Sequence, residues 1–146
     1  RGSRGIFMFS IGELSRRTQV KVPTIRYYEE MGLLAEAERT SGNQRRYDKA
    51  GLERLSFIRH ARQLGFSIEA ILQLIELHNH PDLACQAATD IAVAQLNDVR
   101  SKIGQLQALE RELNRIAKSC DGDTVSGECH VLASLADHRF CETEHS

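Results

Sequence analysis

Residues 10–31 read Ser-Ile-Gly-Glu-Leu-Ser-Arg-Arg-Thr-Gln-Val-Lys-Val-Pro-Thr-Ile-Arg-Tyr-Tyr-Glu-Glu-Met. Ser10 followed by Glu13 is a capping box, which marks the start of a helix that we expect to end near Thr18. Pro23 suits the first turn of a second helix, and Gly32 can adopt the left-handed conformation that ends it. The segment therefore predicts two short helices joined by a tight turn, as in a helix-turn-helix motif.

The second of these helices has a polar face at its start. Lys21, Thr24, Arg26 and Tyr27 lie in or near its N-terminal half, which is the part of a recognition helix that contacts bases and phosphates. An ordinary helical hairpin would share the same spacing of helices. The polar face favours a DNA-reading helix.

A hairpin follows the helix pair. Residues 39–47 read Arg-Thr-Ser-Gly-Asn-Gln-Arg-Arg-Tyr, and the Ser-Gly-Asn turn predicts two short strands around it. Arginines at 39, 45 and 46 on such a hairpin form a wing. Wing arginines are expected to contact phosphates and to add salt-dependent affinity rather than sequence readout.

Three more helices are predicted. Asp48 and Ser67 can cap a third and a fourth helix, and arginines 54, 59 and 62 give the third a basic outer face that either contacts DNA or is simply solvated. Pro81 interrupts the chain, and Asp82 can cap a helix from 82 to about 118. Within that long helix a stripe of apolar residues recurs in steps of three and four: Leu96, Val99, Ile103, Leu106, Leu109, Leu113 and Ile116.

The long stripe predicts a homodimer. A helix of this length cannot bury its stripe inside so small a chain, and a helix from a second copy would cover it. A two-fold dimer also matches two DNA half-sites. The alternative is that the stripe packs against the N-terminal helices of the same chain.

Composition excludes several classes of protein. The chain has 146 residues with 27% charged and 41% hydrophobic residues, which suits one or two small folded units. No apolar run is long enough to span a bilayer and no signal peptide is evident, so we expect a cytoplasmic protein without a membrane partner. We expect residues 1–7 to be a cloning remnant. Residues 1–66 carry 13 Lys and Arg against 7 Asp and Glu, an excess that favours a polyanionic partner.

Four cysteines lie at 85, 120, 129 and 141. A reducing compartment disfavours disulfides. If two long helices pair antiparallel, Cys85 of one chain meets Cys120 and Cys129 of the other, and three thiolates suit Zn, Cd, Pb or Hg. Candidate further ligands are His130, His138 and Cys141. The alternative is that these cysteines are small buried hydrophobic residues.

The chain resembles the MerR family of transcriptional regulators, in particular its zinc-, cadmium-, lead- and mercury-sensing branches. The resemblance runs from about residue 9 to 135 and is carried by these segments: Ile-Gly-Glu-Leu-Ser (11–15), Thr-Ile-Arg-Tyr-Tyr-Glu (24–29), Gly-Leu-Leu (32–34), Arg-Thr (39–40), Arg-Arg-Tyr (45–47) and Phe-Ile-Arg-His-Ala-Arg-Gln-Leu-Gly-Phe (57–66).

The resemblance implies a mainly α fold in three parts. These are a winged helix-turn-helix domain over 8–80, a dimerisation helix over 82–118 forming an antiparallel coiled coil, and a metal-binding loop, short helix and flexible tail over 119–146. It also implies a regulator, not an enzyme, that bends promoter DNA when metal binds, so that RNA polymerase transcribes heavy-metal efflux or resistance genes.

The resemblance also assigns residues by position. Arg26 and Tyr27 would contact DNA from the recognition helix, and Arg39, Arg45 and Tyr47 from the wing region. The three metal-ligand positions fall on Cys85, Cys120 and Cys129, with zinc the expected ion and cadmium, lead or mercury as alternatives. A regulator of the same fold that responds to monovalent copper, or to a redox or organic effector, is the second hypothesis.

Overall fold

The computed structural model describes residues 8–83, 85–119 and 130–136, and the described part is mainly helical, as predicted. The strands are β1 (Phe9–Ser10), β2 (Glu38–Arg39) and β3 (Arg45–Tyr47). The helices are α1 (Ile11–Thr18), α2 (Val22–Glu30), α3 (Lys49–Gln63), α4 (Ile68–Asn79), α5 (Gln86–Lys118) and α6 (His130–Ala136).

The capping box at the start of α1 is formed as predicted. The Ser10 hydroxyl accepts a hydrogen bond from the Glu13 backbone N–H at 3.1 Å, and the Glu13 carboxylate accepts one from the Ser10 N–H at 2.9 Å. The hydrogen bond that the carboxylate accepts from the Ser10 N–H, followed by the interaction with the Ser10 side chain, holds the pKa of Glu13 below its ordinary value. The helix ends at Gln19, whose φ of 59° is left-handed and turns the chain tightly into α2.

The wing is a three-stranded antiparallel sheet in the order β1-β3-β2. The predicted hairpin pairs Arg39 with Arg45, and Asn43 takes a left-handed φ of 63° in its turn. Strand β1 was not predicted from the sequence; it pairs Phe9 with Tyr47 and so ties the start of α1 to the wing. The sheet therefore links the wing to the helix-turn-helix directly.

A compact apolar core holds these elements together. Its largest fully buried side chains come from α1, α2, the segment after α2, α3 and α4: Leu14, Ile25, Leu33, Leu55, Ile58 and Ile71. Each stabilises the fold by about 1.5–3 kcal/mol relative to exposure. Because α1, α2 and α3 contribute to this core together with Tyr47 of β3, α2 is held beside the wing.

The long helix starts later than predicted. We expected it to begin at Asp82, but α5 begins at Gln86. The reason is a separate turn, in which the Leu83 N–H donates to the His80 carbonyl at 2.9 Å. Cys85 therefore lies just before the helix rather than inside its first turn, although its carbonyl accepts the first helical hydrogen bond, from the Thr89 N–H at 3.0 Å.

The chain divides into two compact units with a boundary between Ala92 and Val93, inside α5. The first unit contains the winged helix-turn-helix and α4. The second contains most of α5 together with α6. Over the described ranges, no helix has both the length and the apolarity needed to cross a bilayer.

Candidate nucleic-acid interface and metal ligands

The recognition helix α2 has one buried and one exposed face. Ile25 and Tyr28 are buried in the core, whereas Arg26 and Tyr27 are exposed, with Tyr27 at 45%. Lys21 is the exposed N-cap residue, and Thr24 is half-buried in the first turn. Four of the residues expected to meet DNA therefore lie on α2 or at its start, three of them exposed.

The three wing arginines differ in how they are held. Arg39 is exposed and donates to the Asn43 carbonyl at 3.1 Å, and Arg46 donates to the Gln44 side-chain oxygen at 3.3 Å. Arg45 is 29% exposed and forms an ion pair with Glu29, with 3.4 Å between Nε and Oε1. A groove of about 470 Å³ between α2 and the wing is lined by three arginines and three glutamates together with Ala37: Arg26, Arg39, Arg45, Glu29, Glu30 and Glu36. The structure thus brings arginines from both elements to one groove.

Tyr47 occupies a different place from the other predicted residues. It is only 3% exposed, and its hydroxyl donates to Glu29 Oε2 at 2.9 Å. Burial and the nearby Glu29 carboxylate raise the pKa of Tyr47 well above its ordinary value, so the hydroxyl stays a donor. The geometry does not support the expected DNA contact from Tyr47, because its polar group is already engaged inside the protein.

Glu29 is the functional residue that sequence reasoning missed. Its carboxylate is 7% exposed and contacts Arg45, Tyr47 and the backbone N–H of Ala37, the last at 3.0 Å. A carboxylate among the basic and aromatic residues of an expected DNA-reading surface was the available signal. An acid there is unfavourable for a phosphate ligand unless it is paired internally.

The arginines of α3 have partners within the protein. Arg54 donates to the Asn79 side chain at 3.0 Å, Arg59 to the Gln19 side chain at 3.4 Å, and Arg62 to the Phe66 carbonyl at 2.8 Å. Arg54 and Arg62 brace α3 against the end of α4 and the turn before it. These contacts favour a structural role over the DNA-contacting alternative.

Of the expected metal ligands, the structure describes Cys85, which is exposed. Cys120, Cys129, Cys141, His138 and the His130 side chain lie outside the described residues. Within the part of the chain that is described, no three His, Cys, Asp or Glu side chains gather as a metal site.

The apolar stripe of α5 is largely exposed. Leu96, Val99, Ile103, Leu106 and Leu113 are between 37% and 64% accessible in the single chain. Ile116, which was expected to belong to the same stripe, is instead buried. Several exposed large apolar side chains along one helix are typical of a protein–protein interface.

Comparison with known proteins agrees with this geometry. The profile of the MerR HTH family regulatory proteins matches residues 9–77, and that of the MerR DNA-binding region matches residues 52–116. The transcriptional regulator ZntR of Escherichia coli K12 is 40% identical over 130 residues, covering 88% of this chain and 92% of ZntR.

Two further relatives are similar over most of their length. The mercuric resistance operon regulatory protein of Bacillus cereus is 33% identical over 87% of this chain and 96% of its own. The crystal structure of PbrR691 from Ralstonia metallidurans CH34 in complex with lead(II) superposes with a TM-score of 0.74 at 42% identity, covering 87% of this chain and 98% of PbrR691. As expected, these relatives are regulators rather than enzymes. The chain belongs to the MerR family of helix-turn-helix regulatory proteins.

Proposed function

We propose that this protein is a metal-responsive transcriptional regulator of the cytoplasm. It binds promoter DNA as a homodimer and, with a divalent ion bound, distorts that DNA so that RNA polymerase transcribes heavy-metal efflux or resistance genes. The observation that carries the metal part is the spacing in sequence between Cys85 and the apolar residues of α5, which are exposed in the single chain. Similarity to ZntR, to the mercuric regulator and to lead-bound PbrR691 supports the same class of effector.

Cys85 shares a face with the stripe. An α-helix has 3.6 residues per turn, so the 11 residues to Leu96 make about three turns and the 18 residues to Ile103 about five. Since the Cys85 carbonyl already makes a helical hydrogen bond to Thr89, this spacing applies from Cys85 onward. A second helix that covers the stripe therefore also faces Cys85.

One antiparallel register satisfies both the apolar residues and the cysteines. If Cys85 lies level with Cys120 of a second copy, Leu96 lies level with Leu109 and Val99 with Leu106 of that copy. The two-fold axis then passes close to Ile103. Registers shifted by a heptad also pair apolar residues, but they separate the cysteines, so the sulfurs select this register.

The donor set fits a soft or borderline divalent ion. Cys85 from one chain with Cys120 and Cys129 from the other would give three thiolates, which suit Zn, Cd, Pb or Hg and bind zinc at about 2.3 Å. His130 and Cys141 are candidate additional ligands. A bound ion would offset most of the negative charge of the three thiolates and hold two chains together at each end of the paired helices.

The DNA side of the proposal uses the exposed face of α2 and the wing. The residues that would enter the major groove of DNA are Lys21, Thr24, Arg26 and Tyr27. The residues that would contact phosphates are Arg39, Arg45 and Arg46. An ion shifts the dimer between two DNA-bound states only through different affinities for them. The two states would deform the promoter differently, which changes the alignment of its polymerase-recognition elements.

We expect Arg26→Ala to weaken DNA binding by about 1–3 kcal/mol and to reduce the slope of log K against log salt by about 1, because one cation leaves the interface. Fluorescence anisotropy with a duplex selected from a random pool by the wild-type protein measures both quantities. Arg100→Ala is the matched control, since it removes the same charge from an exposed position on α5. Equal salt slopes for the two variants would exclude Arg26 from the interface.

Transcription in vitro tests the whole proposal. The selected operator is placed in the spacer of a promoter, and metal-free protein is titrated separately with Zn, Cd, Pb, Hg and Cu(I) salts. Activation by one or more of the divalent ions is expected, and their order identifies the effector. Activation by Cu(I) alone, or by none of these ions, would contradict the proposal.

A further inference from the structure

Glu29 joins three segments of the DNA-binding unit through one carboxylate. Oε1 pairs with Arg45 Nε at 3.4 Å, and Oε2 accepts hydrogen bonds from the Tyr47 hydroxyl at 2.9 Å and the Ala37 N–H at 3.0 Å. The residue itself belongs to the recognition helix α2, whereas Arg45 and Tyr47 belong to β3. The carboxylate is thus a direct bridge between the recognition helix and the wing.

The bridge is strong because it is charged and secluded. Hydrogen bonds to an ionised carboxylate are about twice as strong as neutral ones, and Glu29 is only 7% exposed to competing water. Removing the acceptor would leave the hydroxyl of Tyr47 without its partner in a site where that residue is 3% exposed. The protein therefore resists any displacement of the wing relative to α2.

The bridge also changes what Arg45 can offer to DNA. Its positive charge is partly balanced inside the protein, so its contribution to phosphate binding is smaller than that of an unpaired arginine. In return, the ion pair reduces the freedom of a long side chain before DNA arrives, which lowers the entropic cost of binding. The ion pair therefore fixes the position of the Arg45 side chain and lowers the net positive charge that it offers to phosphates.

We propose that Glu29 is a positioning residue for DNA recognition, which fixes the wing and Arg45 at a set distance from the recognition helix without contacting DNA itself. The inference rests on the proposed DNA-binding function and deepens it. Correct spacing is needed to engage a specific site at both elements together, whereas non-specific binding needs only charge. Glu29 therefore controls specificity more than total affinity.

The test compares two variants that weaken the bridge differently. Glu29→Gln removes the charge and keeps the shape, and Tyr47→Phe removes one hydrogen bond and keeps the net charge. Anisotropy over a range of salt concentrations gives the affinities for the selected duplex and for a scrambled duplex of equal composition. Their ratio does not depend on the folded fraction, since unfolded protein reduces both affinities equally.

We expect Glu29→Gln to lower the ratio by about 10- to 100-fold and Tyr47→Phe by about 3- to 10-fold. Tyr47→Phe should leave the salt slope unchanged, which separates positioning from electrostatics. The control is Glu53→Gln, which removes the same charge from an exposed residue of α3 that does not line the groove and should change both affinities by one factor.

A wild-type ratio in folded Tyr47→Phe protein would overturn the proposal, and so would equal ratios in Glu29→Gln and Glu53→Gln. Circular dichroism establishes that each variant is folded, and Tyr47→Phe decides the question if Glu29→Gln does not fold. If the wild-type protein selects no duplex at all, the proposed function fails instead. The two failures are therefore distinguishable.

Discussion

Replacing Cys120 with Ser should lower the affinity of the dimer for a divalent ion by about 1,000-fold and abolish metal-dependent transcription, while DNA binding is retained. The size follows from the free energy of a thiolate metal site, about 10–16 kcal/mol, of which one ligand in three supplies a large share. Because a hydroxyl is a poor ligand for soft ions, the substituted site loses both affinity and selectivity.

Competition with a chromophoric chelator measures the metal affinity, and anisotropy with the selected duplex measures DNA binding in the same preparation. Thr124→Ser provides a control between the two cysteines of the same segment, since it keeps every sulfur. Metal-induced transcription that survives Cys120→Ser unchanged would remove this cysteine from the site.

Replacing Ile103 with Glu should dissociate the dimer and with it abolish binding to a two-half-site duplex. The side chain is 48% exposed in the single chain and lies near the axis of the proposed register, so each dimer carries the change twice at one place. Loss of two apolar side chains from the interface and the meeting of two carboxylates together cost about 4–8 kcal/mol. The dimer constant should weaken by at least about 1,000-fold.

Sedimentation equilibrium shows the effect as a shift from twice the chain mass toward 16.4 kDa. Ser101→Glu adds the same charge two residues earlier, on the opposite side of α5, and should leave the dimer intact. A dimeric Ile103→Glu protein would place the interface elsewhere on the molecule.

Local signals in the sequence predicted most of the fold. The Ser10–Glu13 capping box, the caps at Asp48 and Ser67, and the Ser-Gly-Asn turn each act over a few residues, and each is formed in the structure. The start of the long helix was placed too early because Asp82 looked like a cap, whereas the turn closed by His80 and Leu83 uses that segment first.

Long-range contacts could not be predicted in the same way. The pairing of β1 with β3 and the bridge from Glu29 to Tyr47 join residues far apart in sequence, so no local pattern specifies them. For this reason Tyr47 was assigned to the DNA surface although its hydroxyl is turned to Glu29. The exposed face of α2 was predictable because Ile25 and Tyr28 are buried. The 3.6-residue period of the helix then determines which of its side chains point outward.

The proposed metal site depends on a second chain. A single sequence indicates how that chain would be placed only through the register in which two copies of α5 pair. In the proposed register, Cys85 would share a face with the apolar stripe, and its sulfur would lie level with Cys120 of the second chain. In the proposed site, each ion takes its ligands from both chains.

Mixed dimers show whether the ligands of one metal site come from both chains. Chains carrying Cys85→Ser are combined with differently tagged chains carrying Cys120→Ser and Cys129→Ser, and the doubly tagged heterodimer is purified and titrated with zinc. Ligands shared between chains predict one restored high-affinity ion per heterodimer, although neither homodimer binds one. If every ligand came from the same chain, the heterodimer would bind no ion with high affinity, and that result would contradict a site built across the dimer.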